Sequence, residues 1–173
     1  KLVKTMRAGV LVLGPLLTKY KKAKVSLPGG CAIGTRPVDL HLFVLKKLGA
    51  KIKIKDGYII AEAKNGLFGS NIKFPSISVG ATENAILAAF KAQGKTILNN
   101  CAIEPEIKDL IFFLKKLGGN IKISGRKIII YGTSKIKKQV KHKVIFDRIE
   151  AVTYFVAGAL IGKKIKITKI RTK

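Results

Sequence analysis

The chain is poor in several residue types, and each shortage removes a class of function. It has 173 residues but only two cysteines, two histidines and nine acidic residues, with no tryptophan and one methionine. Cys31 and Cys101 form no CxxC pair and do not cluster with histidine, so neither a disulfide framework nor a zinc site is indicated, and a reducing cytoplasm is the expected compartment. His41 and His142 stand 101 residues apart (142 − 41) with no paired carboxylate pattern, which leaves a histidine-based catalytic triad without support. No metal or organic cofactor is called for. Long apolar runs are missing too: the uncharged stretches 8–18 and 151–162 fall well short of the roughly 20 residues that span a bilayer. Lys1, Lys4 and Arg7 before the first of them imitate a signal peptide, but Thr18-Lys19-Tyr20-Lys21-Lys22 follows in place of a small-residue cleavage site. A buried amphipathic helix accounts better for that stretch.

What the chain has is 47% hydrophobic residues, enough for a core, and 35 lysines and arginines that bring the net charge to +26. Such a charge suggests a polyanionic partner. Its make-up argues otherwise, because only Arg7, Arg36, Arg126, Arg148 and Arg171 are arginines, the residue that nucleic-acid surfaces favour for bidentate contacts. The lysines run from Lys1 to Lys173 and alternate with isoleucine, as in Lys51-Ile52-Lys53-Ile54-Lys55. That spacing puts charge on the outer face of strands and apolar side chains on the inner one. Eight Phe and four Tyr fall largely at core spacing and form no stacking array. A basic nucleic-acid-binding module is therefore the weaker alternative.

An internal repeat organises the chain. Residues 44–54, VLKKLGAKIKI, return at 113–123 as FLKKLGGNIKI, and Cys31-Ala32-Ile33 returns as Cys101-Ala102-Ile103, a period of 69 to 70 residues. Each unit reads as a helix (6–21, 81–93), a strand (23–27, 95–99), a loop carrying the cysteine, and a helix entered after proline (37–48, 106–117) and stopped by Gly49 or Gly118. A hairpin follows, turning at Asp56-Gly57 or Gly125-Arg126, and a closing strand is expected near 70–74 and 142–146. Asp147 begins a third unit, with a helix over 149–160 and a strand over 164–168, so the chain reads as a segment of a longer protein.

The densest unusual stretch is Leu27-Pro28-Gly29-Gly30-Cys31-Ala32-Ile33-Gly34-Thr35-Arg36-Pro37. Its glycines let backbone approach a ligand closely, and Arg36 at the mouth of a helix suits a phosphate or carboxylate and would favour the Cys31 thiolate. A glycine-rich connector with an incidental cysteine is the plain alternative. Cys101, without flanking glycines and with Glu104 and Glu106 nearby, reads as structural. Pro75-Ser76-Ile77-Ser78-Val79-Gly80 opens another helix, which Ser78 could cap or whose amides could bind an anion.

These stretches, together with Met6-Arg7-Ala8, Val38-Asp39-Leu40-His41, Ala81-Thr82-Glu83-Asn84, Glu104-Pro105-Glu106 and Asp147-Arg148-Ile149-Glu150, resemble in order and spacing the UDP-N-acetylglucosamine enolpyruvyl transferases, along essentially the whole chain. The resemblance implies an α+β fold of repeated βαβαββ units, an inside-out α/β barrel in two pseudo-threefold domains. Residues 1–145 would hold the second and third units of the domain carrying the cysteine loop, and 146–173 would open a unit of the other domain. It implies a cytoplasmic enzyme of peptidoglycan synthesis, serving cell-wall biogenesis, cell shape and division, that moves the enolpyruvyl group of phosphoenolpyruvate to the 3-hydroxyl of UDP-N-acetylglucosamine. Cys31 would be the general acid or covalent thiol and the target of a fosfomycin-type epoxide. Arg36 would hold the phosphate, Arg7 would neutralise ligand charge, and Pro37, Val38, Asp39, Leu40, Ser76, Ile77, Ser78 and Val79 would line the uridine diphosphate sugar. Members usually carry Lys at position 76 and Arg at 103, where this chain has Ser76 and Ile103. Remaining portions of the same enzyme would complete the active site, and a noncatalytic relic of the fold is the other alternative. Neither membrane insertion nor a specific nucleic-acid partner is implied.

The charge pattern yields a direct test. Mixed-sequence DNA should bind weakly, with affinity falling steeply as salt rises, and a competition assay should find no preferred sequence.

Overall fold

The computed structural model describes residues 7–28, 38–162 and 164–168. It divides into two compact units, Lys1–Val140 and Lys141–Lys173. In the larger unit the repeat is visible element by element. The first copy runs α1 (Leu13–Tyr20), β1 (Lys22–Ser26), α2 (Asp39–Lys47), β2 (Lys51–Lys55), β3 (Tyr58–Glu62) and β4 (Asn71–Lys73). The second runs α3 (Val79–Ala89), β5 (Lys95–Asn99), α4 (Pro105–Lys116), β6 (Asn120–Ser124) and β7 (Lys127–Tyr131).

Local chemistry sets the shared boundaries. Both α2 and α4 end on lysines favourable to the helix C-terminus and pass into a glycine with positive φ, +97° at Gly49 and +106° at Gly118. There Gly49 N–H donates to the Lys46 carbonyl and Ala50 N–H to that of Leu45. Gly118 and Gly119 repeat the pattern onto Lys115 and Leu114. The hairpins differ in chemistry but not in length: Asp56 and Gly57 both take positive φ, whereas in the second turn only Gly125 does.

The first helix differs from its expected 6–21 span. Residues Arg7–Val12 form a 3-10 helix, and α-helical geometry starts at Leu13. Pro15 has no N–H to give, and the Gly14 N–H donates instead to the Asn84 side chain at 3.0 Å. Two consecutive α-helical hydrogen bonds are thereby absent at the junction.

The strands form two sheets, an antiparallel β1-β3-β2 and a mixed β4-β5-β7-β6 in which β4 and β5 are parallel across the α3 crossover. Helix α3 is enclosed, while α1, α2 and α4 each bury one face and expose the other. Helix α3 packs against the 3-10 segment, α1, α2, α4 and β7, and Ala81, Thr82, Asn84, Ala85, Ile86, Ala88 and Ala89 are all buried. Its small side chains permit this close approach from several directions. Large apolar residues, among them Leu13, Leu17, Leu45, Ile59, Phe74, Leu98, Ile107 and Ile128, fill the space between the helices and the sheets. This arrangement agrees with the expected inside-out α+β architecture.

The lysine–isoleucine alternation holds in part. Ile121 is buried at the start of β6, but Ile54 near the tip of β2 is 56% exposed, because these hairpin strands are sheet edges. Lysine stems use the aromatic rings of the outer faces: Lys24 Nζ lies 4.6 Å from the Tyr58 ring centroid and Lys95 Nζ 5.8 Å from that of Tyr131.

In the smaller unit Asp147 caps α5 (Arg148–Ile161), its Oδ1 accepting from the Ile149 and Glu150 amides at 2.8 and 3.1 Å. The expected closing strand at 142–146 and the strand at 164–168 are not formed. A strand needs a neighbouring ladder for its backbone groups, and no described residue supplies one. Ile165 instead packs its side chain beside Gly158 of α5.

The repeat predicts matched energetics. Leu45→Ala and Leu114→Ala, at corresponding positions of α2 and α4, should each cost about 2–5 kcal/mol. Ile54→Ala should cost far less; urea denaturation of the three variants checks the contrast.

Candidate functional site

The candidate site is built from the starts of three helical segments. Ser78 precedes α3 with extended backbone, and its Oγ accepts from the Ala81 amide at 3.3 Å. Thr82 Oγ1 donates to the Ser78 carbonyl at 2.7 Å and accepts from the Ala102 amide at 3.1 Å. The turn 76–80 is thus fastened both to α3 and to the loop after β5. Capping is what the Ser78 side chain does. The first-turn amides of Val79 and Gly80 have no acceptor within the helix, as at any helix start. Ser76 and Ile77 are exposed, and Val79 is half-buried.

Helix α2 begins beside this turn. Val38 is buried, Asp39 is exposed in the first turn, and Leu40 is half-buried. His41 brings the two helix starts together. Its ring lies so close to Gly80 that a Cβ there would meet Cε1 and Nε2 at 3.2 and 3.3 Å, and its Nδ1 is 3.3 Å from Asn84 Nδ2. A side chain at position 80 would require the His41 ring to shift by a few tenths of an ångström.

Asn84 also holds the third segment. Its Nδ2 donates to the Val10 carbonyl at 3.1 Å while its Oδ1 accepts from the Gly14 amide. A Cβ on Gly14 would sit 2.7 Å from that Oδ1, so the contact requires glycine. The junction of the 3-10 segment with α1 and the first turn of α2 therefore meet on α3 at one fully buried amide.

Of the residues expected in the site, Val38, Asp39, Leu40, Ser76, Ile77, Ser78 and Val79 are placed in this region. Cys31, Arg36 and Pro37 lie outside the described residues, as does the Arg7 side chain. Asn84 and His41 were not read from the sequence as site-building residues. The available signal was an amide inside the small, apolar run Ala81-Thr82-Glu83-Asn84-Ala85-Ile86-Leu87-Ala88-Ala89, which must find partners once buried.

Cys101 provides the contrast to Cys31. It is fully buried, its backbone amide donates to the Arg126 carbonyl at 2.9 Å, and its carbonyl accepts from Arg126 Nη1 at 3.0 Å. Burial pushes its thiol up to about 12, against a smaller opposing effect of a backbone hydrogen bond with Ile128. It is a packing residue, as the sequence suggested. A shallow hollow lined by Gly49, Lys51, Glu62, Lys64, Asn65, Gly66 and Phe68 contains none of the expected site residues. Among the described residues no group of His, Cys, Asp and Glu is arranged to hold a metal ion, and no helix is long and apolar enough to cross a membrane.

The family described as EPSP synthase (3-phosphoshikimate 1-carboxyvinyltransferase) matches residues 1–173. The chain is similar to the UDP-N-acetylglucosamine 1-carboxyvinyltransferase of Pelagibacter ubique, with 61% identity over 99% of this chain and 41% of that protein. It is also similar to the enzymes of the same name from Rickettsia akari, at 54% over 98% of the chain and 41% of the relative, and Endomicrobium trichonymphae, at 52% over 98% and 40%. The chain thus spans about two-fifths of these relatives' length. Among solved structures, the enolpyruvyl transferase NikO from Streptomyces tendae aligns with a TM-score of 0.75 at 23% identity, covering 91% of this chain and 37% of that one. The EPSP synthase of Acinetobacter baumannii aligns at 0.62 and 20% identity, over 76% of this chain and 30% of its own.

One carboxylate in the site is held against its preference. Burial, and secondarily the Glu106 charge, raise the pKa of Glu83 on α3. A raised folded-state pKa favours the protonated form on folding, so this stabilisation is complete below the ordinary carboxylate range and is lost as pH climbs through the folded value. Glu83→Gln should therefore be more stable than the wild type at pH 7, with the gain disappearing in acid; thermal melts across pH check it.

Proposed function

Because the chain belongs to the EPSP synthase family of enolpyruvyl transferases, we propose that it is part of a UDP-N-acetylglucosamine 1-carboxyvinyltransferase. The full-length enzyme would transfer the enolpyruvyl group of phosphoenolpyruvate to the sugar 3-hydroxyl in cytoplasmic peptidoglycan synthesis. The observation that carries this reading is the meeting of the segments headed by Arg7, by Val38-Asp39-Leu40 and by Ser76 to Val79 around Asn84, in a chain 61% identical to a relative of that name.

In this reading the cysteine loop delivers its groups just ahead of α2. Protonation of the phosphoenolpyruvate methylene carbon by the Cys31 thiol makes the adjacent carbon electrophilic, and the sugar 3-hydroxyl oxygen adds there while losing its proton. Phosphate then leaves with its electron pair as the methyl group returns a proton, restoring the double bond. Alternatively the Cys31 S–H adds across the double bond, sulfur to that carbon and proton to the methylene carbon, and the sulfur later leaves as thiolate, taking up the proton of the sugar 3-hydroxyl whose oxygen replaces it. Arg36, at the mouth of α2, holds the phosphate and favours the thiolate. Arg7 neutralises further charge. Pro37, Val38, Asp39 and Leu40 face the uridine diphosphate sugar together with Ser76, Ile77, Ser78 and Val79, where the first-turn amides of α3 suit a diphosphate oxygen. The chemistry needs no metal or organic cofactor.

Residues 1–145 would supply the wall carrying the cysteine loop, and 146–173 would open a unit of the second domain. Val152, Phe155 and Leu160 of α5 are 60%, 69% and 83% exposed, an apolar surface suited to burial by the rest of a full-length protein.

The test is covalent. In the full-length enzyme a fosfomycin-type epoxide should be opened by the Cys31 sulfur, the oxygen ending as a hydroxyl, and intact mass should rise by one whole reagent molecule. Cys31→Ser should abolish the increase and Cys101→Ser should preserve it. Labelling that follows Cys101 would overturn the assignment.

A further inference from the structure

The hydrogen bonds of Asn84 can be assigned without ambiguity. The Gly14 N–H can only donate and the Val10 carbonyl can only accept, so the amide oxygen faces Gly14 and the amide nitrogen faces Val10. Its second N–H is then directed at His41 Nδ1, 3.3 Å away. An amide N–H requires an acceptor, which places the imidazole proton on Nε2, the atom beside Gly80 at the start of α3. The Asn84 side chain is completely buried, and the glycines at 14 and 80 leave the room that these contacts need.

We propose that Asn84 is a positioning residue for enolpyruvyl transfer. By fixing the neutral Nε2–H form of His41, it sets the start of α2 against the turn 76–80 and against the junction of the 3-10 segment with α1. The role rests on the functional reading above and adds to it a residue that touches no substrate. Three segments from distant parts of the sequence must keep one mutual geometry, and displacements of about an ångström at such a junction cost on the order of a hundredfold in rate. A cluster of apolar side chains at the same place could slide. An amide bonded on three sides has a single satisfied orientation.

The experiment uses the full-length enzyme. Asn84→Ala removes every contact, and Gly14→Ala displaces the amide from the other side. Asn84→Asp keeps the size of the side chain but offers His41 Nδ1 an acceptor in place of a donor. Ile128→Val, in β7 far along the chain from these segments, serves as a stability control.

Asn84→Ala and Gly14→Ala should raise KM for UDP-N-acetylglucosamine or lower kcat by on the order of tenfold to a hundredfold, while Ile128→Val lowers the melting temperature and leaves both constants unchanged. Nitrogen-15 NMR of the histidine rings should show His41 as the Nε2–H tautomer in the wild type and as Nδ1–H or doubly protonated in Asn84→Asp. The wild-type tautomer signal requires no variant to fold, so it reports even where Asn84→Ala and Asn84→Asp do not. Wild-type kinetics in folded Asn84→Asp and Gly14→Ala, or an Nδ1–H His41 in the wild type, would overturn the proposal. A wild-type enzyme that folds but transfers no enolpyruvyl group would instead sink the functional reading, together with the role in catalysis, while the tautomer signal would separately report whether the network exists.

Discussion

Helix α3 has almost no face turned to water, and the 3-10 segment, α1, α2, α4 and β7 are arranged around that constraint. An α-helix that packs on several sides must carry small residues, because each neighbouring axis can approach only as far as the side chains between them allow. Alanines at 81, 85, 88 and 89 provide that clearance. The same crowding makes Asn84 consequential. A buried amide is costly unless each of its polar atoms is paired, so the helices around α3 are held not only close but in one orientation.

The two copies of the repeat show how a site grows out of a symmetric scaffold. Helices α2 and α4 end on the same glycine-terminated turn, and their hairpins have the same length. The cysteines diverge. Cys101 is sealed in the core, bonded through its backbone to Arg126, with a thiol that burial holds protonated. Cys31 occupies the corresponding position in a stretch of glycines followed by Arg36. A thiol on the interior of a sheet-and-helix layer packs; one bracketed by glycine and followed by a guanidinium is equipped for chemistry. The functional signal is therefore the departure from the repeat rather than the repeat itself.

The large positive charge has a structural counterpart of a modest kind. Lysines occupy outward positions of the strands, and on strands and helices alike several place their ammonium groups over neighbouring tyrosine or phenylalanine rings. Each contact of this kind is weak at an exposed site.

Much of the fold was legible in the amino-acid order. The period of 69 to 70 residues, the glycine stops at Gly49 and Gly118, the Asp-Gly turn and the proline-led helices are local signals, and local hydrogen bonding suffices to realise them. The cysteine loop and its flanking arginine could also be recognised as candidates from residue type and spacing alone. What required the tertiary structure were features whose energy depends on a distant partner. The first helix opens with the 3-10 segment Arg7–Val12, and just beyond it the Gly14 amide bonds to Asn84, 70 residues away. Segment 164–168 alternates like a strand and 142–146 carries the apolar run Val144-Ile145-Phe146, but both lack a neighbouring ladder among the described residues. Asn84 itself looked like one polar residue in an apolar helix, and only packing shows that it joins three helix starts. Sequence determines periodicity, caps and turns because these are settled within a few residues; the junction at Asn84 was decided by folding, because a buried amide is defined by whichever groups the chain brings to it.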